Sequence, residues 1–137
     1  MSRYLLDTGA AADAIFRRGG VVERVEGARE LGHDIGIGIP VLGELYAGAE
    51  FSVSREHNMD ILRRSLKLFR LWPFTPEAAA VYGRLYAEMR RKGRIIQQVD
   101  LQIAAIALAL GQCTVVTCDS DLSAVPGLRV ENWAIQK

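Results

Sequence analysis

The sequence contains few nitrogen or sulfur groups that bind metals, with two cysteines and two histidines among its 137 residues. If Cys113 and Cys118 lay on one strand, their odd separation would point them to opposite faces, where they cannot form a disulfide. With only His33 and His57 in addition, no Cys/His zinc site can be assembled. We therefore expect reduced thiols, which suit a reducing compartment, and a cytoplasmic protein.

Long hydrophobic runs and a strong charge of one sign are also absent. The longest near-apolar run, 101–110, is about half the length that a membrane-spanning helix requires. The acid at position 7 comes too early for a secretory signal. The formal net charge is +1, so the molecule as a whole does not attract nucleic acid electrostatically. Length and composition thus predict a single globular domain over residues 1–137, with no membrane partner.

Basic side chains are nevertheless distributed unevenly along the chain. Two clusters comprise Arg63, Arg64, Lys67 and Arg70, and Arg84, Arg90, Arg91, Lys92 and Arg94. The clusters suit solvated helix faces, and they also suit a rim of phosphate contacts around an acidic centre. Composition alone leaves both interpretations open.

Short apolar runs with strand character alternate with segments of helical periodicity. Strands are predicted at 4–6, 35–39, 114–117 and 128–130, with a brief extended crossing at 72–74. Helices are predicted at 10–17, 21–31, 41–49, 55–69, 76–92 and 101–110. Because such alternation is typical of the α/β class, we expect a central parallel sheet of four to five short strands flanked by helices on both sides.

Five acidic residues fall at positions where such a fold can bring them together. Ligands of parallel sheets bind beyond the carboxyl ends of the strands, and Asp7 and Asp119 directly follow predicted strands. Asp121 lies two residues further on, and Asp100 opens the most apolar helix. Glu44 lies on one flank of a short helix, away from its apolar stripe.

Each of these acids also has an ordinary structural explanation. Asp7 and Asp100 can cap the helices that follow them, because an aspartate before a helix accepts hydrogen bonds from its first N–H groups. Asp119 and Asp121 can be turn residues, and Glu44 can be a solvated surface acid. For each residue taken singly, these alternatives stay open.

Taken together, the acids favour a metal site. Several carboxylates in one cleft repel one another unless some are protonated or a cation compensates them. An all-oxygen ligand set selects Mg²⁺ or Mn²⁺, and these ions serve phosphoryl-transfer chemistry. The positive dipole end of the helix at Asp100 is expected to help keep that acid ionised.

Rival families share only fragments of this pattern. The tripeptide Asp7-Thr8-Gly9 occurs in aspartic proteases, but those enzymes are all-β and need two copies of it. A phosphatase of the haloacid-dehalogenase type needs a second aspartate at the position that Gly9 occupies. No GxGxxG, P-loop or nucleophile-elbow motif supports an ordinary metabolic α/β enzyme.

Four segments, in order and with the usual spacing, carry a family resemblance. They are residues 4–8 (YLLDT), 39–48 (IPVLGELYAG), 100–105 (DLQIAA) and 116–122 (VTCDSDL), followed by 125–128 (VPGL) and 131–133 (ENW). Over nearly its whole length the chain resembles PIN-domain proteins, and specifically the VapC toxins of bacterial VapBC toxin–antitoxin pairs.

The resemblance implies a Mg²⁺- or Mn²⁺-dependent endoribonuclease. Its implied catalytic acids are Asp7, Glu44, Asp100 and Asp119, and its implied metal-binding set is Asp7, Asp100, Asp119 and Asp121. Thr8 and Thr117 are implied as supporting hydroxyls near the metal-bound waters. In that family's mechanism, a metal-activated water attacks the phosphorus of an RNA phosphodiester.

The resemblance also implies a homodimer and a VapB-type antitoxin. The antitoxin tail packs into a groove, which we expect along the apolar helices after Glu44, and it often sends a basic side chain towards the acids. One position departs from the family pattern, because Gly9 stands where the family usually has Asn or Ser. The alternative function is therefore a catalytically weak or inactive PIN-like module that binds RNA or a partner protein.

Overall fold

The computed structural model describes residues 2–135, which form a five-stranded sheet and six α-helices. The strands are β1 (Arg3–Leu6), β2 (Asp34–Gly38), β3 (Arg70–Trp72), β4 (Cys113–Val116) and β5 (Arg129–Glu131). The helices are α1 (Thr8–Ile15), α2 (Val21–Glu30), α3 (Ile39–Phe51), α4 (Arg55–Ser65), α5 (Pro76–Arg91) and α6 (Gln98–Leu110). Two short 3₁₀ turns lie at Leu66–Leu68 and Ser120–Ala124.

All neighbouring strands run parallel, in the order β3-β2-β1-β4-β5. In the central strand β1, Leu5 and Leu6 are both fully buried although successive side chains point to opposite faces of a sheet. Both faces are therefore covered, as parallel sheets require. This confirms the predicted α/β class and parallel sheet, with five strands.

The pairing of β1 with β4 brings together two segments that carry predicted site residues. Leu6 pairs with Val116, and the N–H of Asp7 donates to the carbonyl of Val116 at 3.0 Å. Asp7 and Thr117, which directly follow the two strands, are thus neighbours at the carboxyl end of the sheet. They are 110 residues apart in the sequence.

The helix predicted at 55–69 was too long. The helix α4 ends at Ser65, and a 3₁₀ turn leads into β3 at the sheet edge, where only an extended crossing at 72–74 was predicted. Gly36 on β2 permits this pairing, because a β-carbon there would lie 2.4 Å from the carbonyl oxygen of Arg70. Pairing with β2 therefore overrides the local helical periodicity. The other elements differ from their predicted bounds by only a few residues.

Within residues 2–135, no helix is both long enough and apolar enough to cross a membrane. The two cysteines are free, as predicted. Cys113 is buried on β4, whereas Cys118 is exposed beyond the end of that strand.

Candidate active site

Asp7 is the most deeply buried acid of the predicted site, with 7% of its surface exposed. It caps α1, which begins at Thr8 rather than at residue 10, and its Oδ1 accepts from the N–H of Ala10 at 2.8 Å. Its Oδ2 accepts a short hydrogen bond from the hydroxyl of Thr117. Burial raises the pKa of Asp7, the two hydrogen bonds partly offset this, and the charge of Asp119 raises the pKa further. The capping role and a role in the site therefore coexist in this residue.

Thr117 connects the two strand ends through its hydroxyl. The Oγ1 donates to Asp7 and accepts from the N–H of Asp119 at 2.9 Å. The side chain is itself buried, with 3% exposed. Because both of its bonds are made inside the protein, the threonine fixes the orientation of the Asp7 carboxylate relative to the loop that carries Asp119.

Asp119 and Asp121 lie in the loop after β4. Asp119 caps the 3₁₀ turn Ser120–Ala124, and its Oδ1 accepts from the N–H of Asp121 at 2.9 Å. Both side chains are exposed, which agrees with the turn role considered from the sequence. The carboxylate of Asp119 nevertheless lies close enough to Asp7 and Asp100 to raise the pKa of each.

Asp100 does not cap α6, which corrects one of the sequence-based alternatives. The helix begins at Gln98, and the side chain of Gln97 is the cap, accepting from the N–H of Asp100 at 3.2 Å. Asp100 therefore lies inside the first turn. Because Gln97 fills the capping role, the Asp100 carboxylate is not required there.

The surroundings of Asp100 raise its pKa from 3.8 to about 6. Burial is the largest cause, followed by the negative charges of Asp119, Asp7, Glu44 and Asp121, in that order. Desolvation and like charges therefore raise the pKa of Asp100 even though it lies at the positive end of the helix dipole, and at pH 7 the acid is still mostly ionised. The same shift means that four other carboxylates lie within electrostatic reach of Asp100.

Glu44 completes the group from α3. Its side chain is half-buried, and its Oε1 accepts a short hydrogen bond from the hydroxyl of Thr8 at the start of α1. Thr8 and Thr117 thus each donate to one acid of the group. All seven predicted residues lie in one region, directly after β1, on α1, α3 and α6, and in the segment after β4.

A cleft of about 520 Å³ opens beside the buried end of this group. It is lined by Asp7, Gly9, Ala10, Ala12, Asp13, Arg18, Cys118 and Asp119. None of the basic residues in the two clusters singled out from the sequence lines it. Among the described residues, the cation that lines it is Arg18. Arg18 was not predicted as a site residue, although it lies in the ending Arg17-Arg18-Gly19-Gly20 of the first helical segment.

The cysteine in this cleft is unsuited to nucleophilic chemistry. The thiol of Cys118 donates to Oδ1 of Asn132 at 3.3 Å. Its partial burial raises its pKa, and the charges of Asp7 and Asp13 raise it further. The thiol therefore stays protonated at neutral pH, whereas the thiolate is the reactive form.

The donor set fits a hard divalent ion. The group offers five carboxylates and two hydroxyls, with no nitrogen or thiolate ligand, and its crowded negative charge is what a cation would relieve. Over residues 2–135, no three His, Cys, Asp or Glu side chains are arranged as a ready-made chelating group. Mg²⁺ commonly binds through one or two carboxylates and keeps several waters, so it does not require such a group.

Comparison with known proteins identifies the family. A family model described as the PIN domain matches residues 4–128. The chain is 30% identical over 133 residues to "Ribonuclease VapC2" of Haemophilus influenzae, covering 97% of this chain and 99% of that protein. It is also 30% identical over 92 residues to "tRNA(fMet)-specific endonuclease VapC" of Salmonella typhimurium, covering 67% of this chain and 70% of the relative.

A solved structure extends the match to the fold. The crystal structure of VapBC2 from Rickettsia felis, bound to a DNA fragment from its promoter, contains a chain that superposes with a TM-score of 0.89. That chain is 31% identical, and the match covers 96% of this chain and 98% of the other. The protein therefore belongs to the PIN domain family and, within it, to the VapC ribonucleases.

Proposed function

We propose that this protein is a Mg²⁺- or Mn²⁺-dependent endoribonuclease that acts as the toxin of a toxin–antitoxin pair. The observation that carries the proposal is the convergence of five carboxylates on one site, where burial and the charges of the other four raise the pKa of Asp100 to about 6. An unpaired cluster of this kind is destabilising on its own, and such strain is typical of functional sites. The relatives named as ribonucleases support RNA as the substrate class.

In this proposal, Asp7, Asp100, Asp119 and Asp121 hold the ion, which when bound supplies an activated water and stabilises negative charge on phosphate oxygens. Thr117 holds the Asp7 carboxylate in place and lowers its pKa. Thr8 occupies one oxygen of Glu44 and so orients the other. The backbone N–H of Ala10 further fixes Asp7, so the acid does not have to reorganise when substrate arrives.

The direct test is RNA cleavage by the purified protein with and without divalent ions. We expect cleavage in Mg²⁺ or Mn²⁺ and none in EDTA. We also expect the ion, at a concentration 100 times its dissociation constant, to raise the free energy of unfolding by about 2.7 kcal/mol. Gel analysis of labelled RNA and thermal melting measure the two effects. Cleavage that persists unchanged in EDTA would contradict the proposal. Because one relative is named as specific for tRNA(fMet), transfer RNA is the first substrate to assay.

Gly9 supports the second candidate, a weak or inactive binding module, because it supplies no side chain beside Asp7. An added β-carbon there would lie 3.8 Å from Oδ1 of Asp7, an ordinary contact, so a larger residue fits. We expect Gly9→Asn to lower the Mg²⁺ concentration for half-maximal cleavage about tenfold, since a polar group beside metal ligands typically changes affinity by about 10- to 100-fold.

The matched control for this substitution is Gly9→Ala, which makes the same backbone change without the amide. If both variants behave alike, the effect comes from helix stabilisation, which is worth about 0.5–1 kcal/mol when glycine is replaced. A wild-type protein that binds RNA without cleaving it, with Gly9→Asn active, would establish the second candidate instead.

For the antitoxin, we propose the groove between α1 and α4. This groove of about 610 Å³ is lined by Ile15, Phe16, Arg17, His57, Asn58, Ile61, Arg64, Ser65 and Leu68. Its apolar and basic lining suits an amphipathic segment with acidic residues. One wall of the groove is α4, which follows the helix that carries Glu44, and the structurally similar chain from Rickettsia felis comes from a structure of VapBC2. A homodimer remains part of the same proposal, and analytical ultracentrifugation measures it.

A further inference from the structure

Arg18 is the only cation among the described residues that line the acidic cleft. The cleft wall otherwise carries the carboxylates of Asp7, Asp13 and Asp119, which repel a phosphodiester. A polyanion that enters this cleft therefore meets a single compensating side chain.

The backbone at the end of α1 determines where Arg18 lies. Arg17 adopts a left-handed conformation with φ of 57°, which turns the chain back on the helix. The N–H of Arg18 then donates to the carbonyl of Asp13 at 2.8 Å, closing the helix end. This turn brings the Arg18 side chain back to the Asp13 carboxylate, although most of the side chain stays exposed to solvent.

The ion pair with Asp13 uses only one edge of the guanidinium. Nε of Arg18 lies 3.2 Å from Oδ1 of Asp13, and the guanidinium carbon lies 5.7 Å from the centre of the Phe16 ring. Among residues 2–135, Asp13 is the ion-pair partner of this side chain, which is 60% exposed. The five N–H donors of a guanidinium point along more than one edge of the group, so an edge that Asp13 does not occupy remains. That free edge has the fork geometry that binds phosphate oxygens in pairs.

We propose that Arg18 binds a backbone phosphate of the RNA substrate beside the acid cluster, held in position by Asp13 and by the turn at Arg17. The inference rests on the proposed function, since it places the substrate strand along this cleft. Arg18 is a substrate-binding residue in this view. It sets the register of the strand against Asp7 and Asp119 and takes no part in the chemical step.

The test measures, at several salt concentrations, how tightly the protein binds a fluorescein-labelled single-stranded RNA. EDTA is present throughout, so that cleavage that requires a divalent ion cannot occur. Each phosphate contact to a single strand contributes about 0.7 to the slope of log K against log salt. We expect Arg18→Gln to reduce that slope by about 0.7 and to weaken binding about fivefold at 0.1 M salt. In cleavage assays, the same variant should raise KM with little change in kcat, and Arg18→Lys should restore part of the affinity.

Arg29→Gln is the matched control, because it removes the same charge from an exposed arginine on α2 that lies outside the cleft. Equal losses in the two variants would overturn the proposal in favour of a general charge effect. The double variant Asp13→Asn/Arg18→Gln tests whether the loss comes only from exposing Asp13, and full recovery of binding there would also overturn it. If the wild-type protein binds no RNA under any condition, the proposed function itself fails, which is a different result from wild-type binding that Arg18→Gln leaves intact.

Discussion

Asp100→Asn is expected to reduce RNA cleavage by at least about 100-fold while making the metal-free protein more stable. Removing a residue that only contacts a metal ligand typically lowers activity about 10- to 100-fold. We expect a larger loss here because Asp100 belongs to the proposed ligand set itself. The stability gain follows because the variant removes a charge that burial and four neighbouring carboxylates disfavour. A residue with a purely structural role would lose activity and stability together.

The pH dependence of this gain has a definite sign. The folded-state pKa of Asp100 is raised to about 6 from 3.8, so the folded protein binds the proton more tightly than the unfolded chain does. Its contribution is therefore fully favourable below about pH 4 and is lost as the pH rises through 6. We expect the two proteins to have similar stability at pH 4. At pH 7 in EDTA the variant should be more stable by about 1–2 kcal/mol, a figure discounted for the partial exposure of the side chain.

Chemical denaturation at several pH values measures the difference in the free energy of unfolding. Asp60→Asn is the matched control, since Asp60 is an exposed acid on α4 that pairs with Arg64 at 2.8 Å, outside the cluster. Full cleavage by Asp100→Asn, or a stability difference that does not depend on pH, would contradict the assigned site.

Thr117→Val should impair both folding and cleavage. Valine keeps the shape of the side chain but leaves the N–H of Asp119 and one oxygen of Asp7 without their partner. Leaving buried polar groups unpaired costs about 1–3 kcal/mol each in the free energy of unfolding. Loss of the hydroxyl also removes a contact that lowers the pKa of Asp7, so this acid becomes harder to ionise and binds metal less well. We expect cleavage at fixed Mg²⁺ to fall about 10- to 100-fold.

Two companion variants separate these effects. Thr117→Ser retains the hydroxyl and should recover most of the activity. Thr114→Val makes the same change at a buried threonine within β4, away from the acids, so it should leave cleavage close to wild type. Excess Mg²⁺ should partly rescue Thr117→Val, whereas a defect in substrate binding alone would not respond to the ion.

The sequence was sufficient to predict the fold class and the meeting of Asp7 with Asp119. Parallel strands are buried on both faces, so they read as short apolar runs, and their carboxyl ends share one edge of the sheet. The apolar runs are visible in the local sequence, and the shared edge is a general property of parallel sheets. Neither requires knowledge of particular tertiary contacts.

Other features depended on information that local sequence does not carry. The edge strand β3 forms because β2 offers Gly36 as a partner, which is a long-range contact. The cap of α6 is Gln97, a residue type that is uncommon at that position, so the aspartate three residues later was the more natural choice. The raised pKa of Asp100 results mainly from burial. The spacing of apolar residues along the sequence does not show how deeply a residue at the end of a helix is buried. The position of Arg18 depends on one left-handed residue, Arg17, that no sequence pattern required.

The strand order has a consequence for biosynthesis. Asp7, which follows the central strand β1, is synthesised 110 residues before Thr117, which follows the neighbouring strand β4. Until β4 pairs with β1, Asp7 lacks its hydroxyl partner and the acids of the two segments are apart. A nascent chain whose β4 is still inside the ribosome thus lacks the assembled acid cluster, and the RNA-rich machinery that produces it meets the finished site only after β4 has emerged.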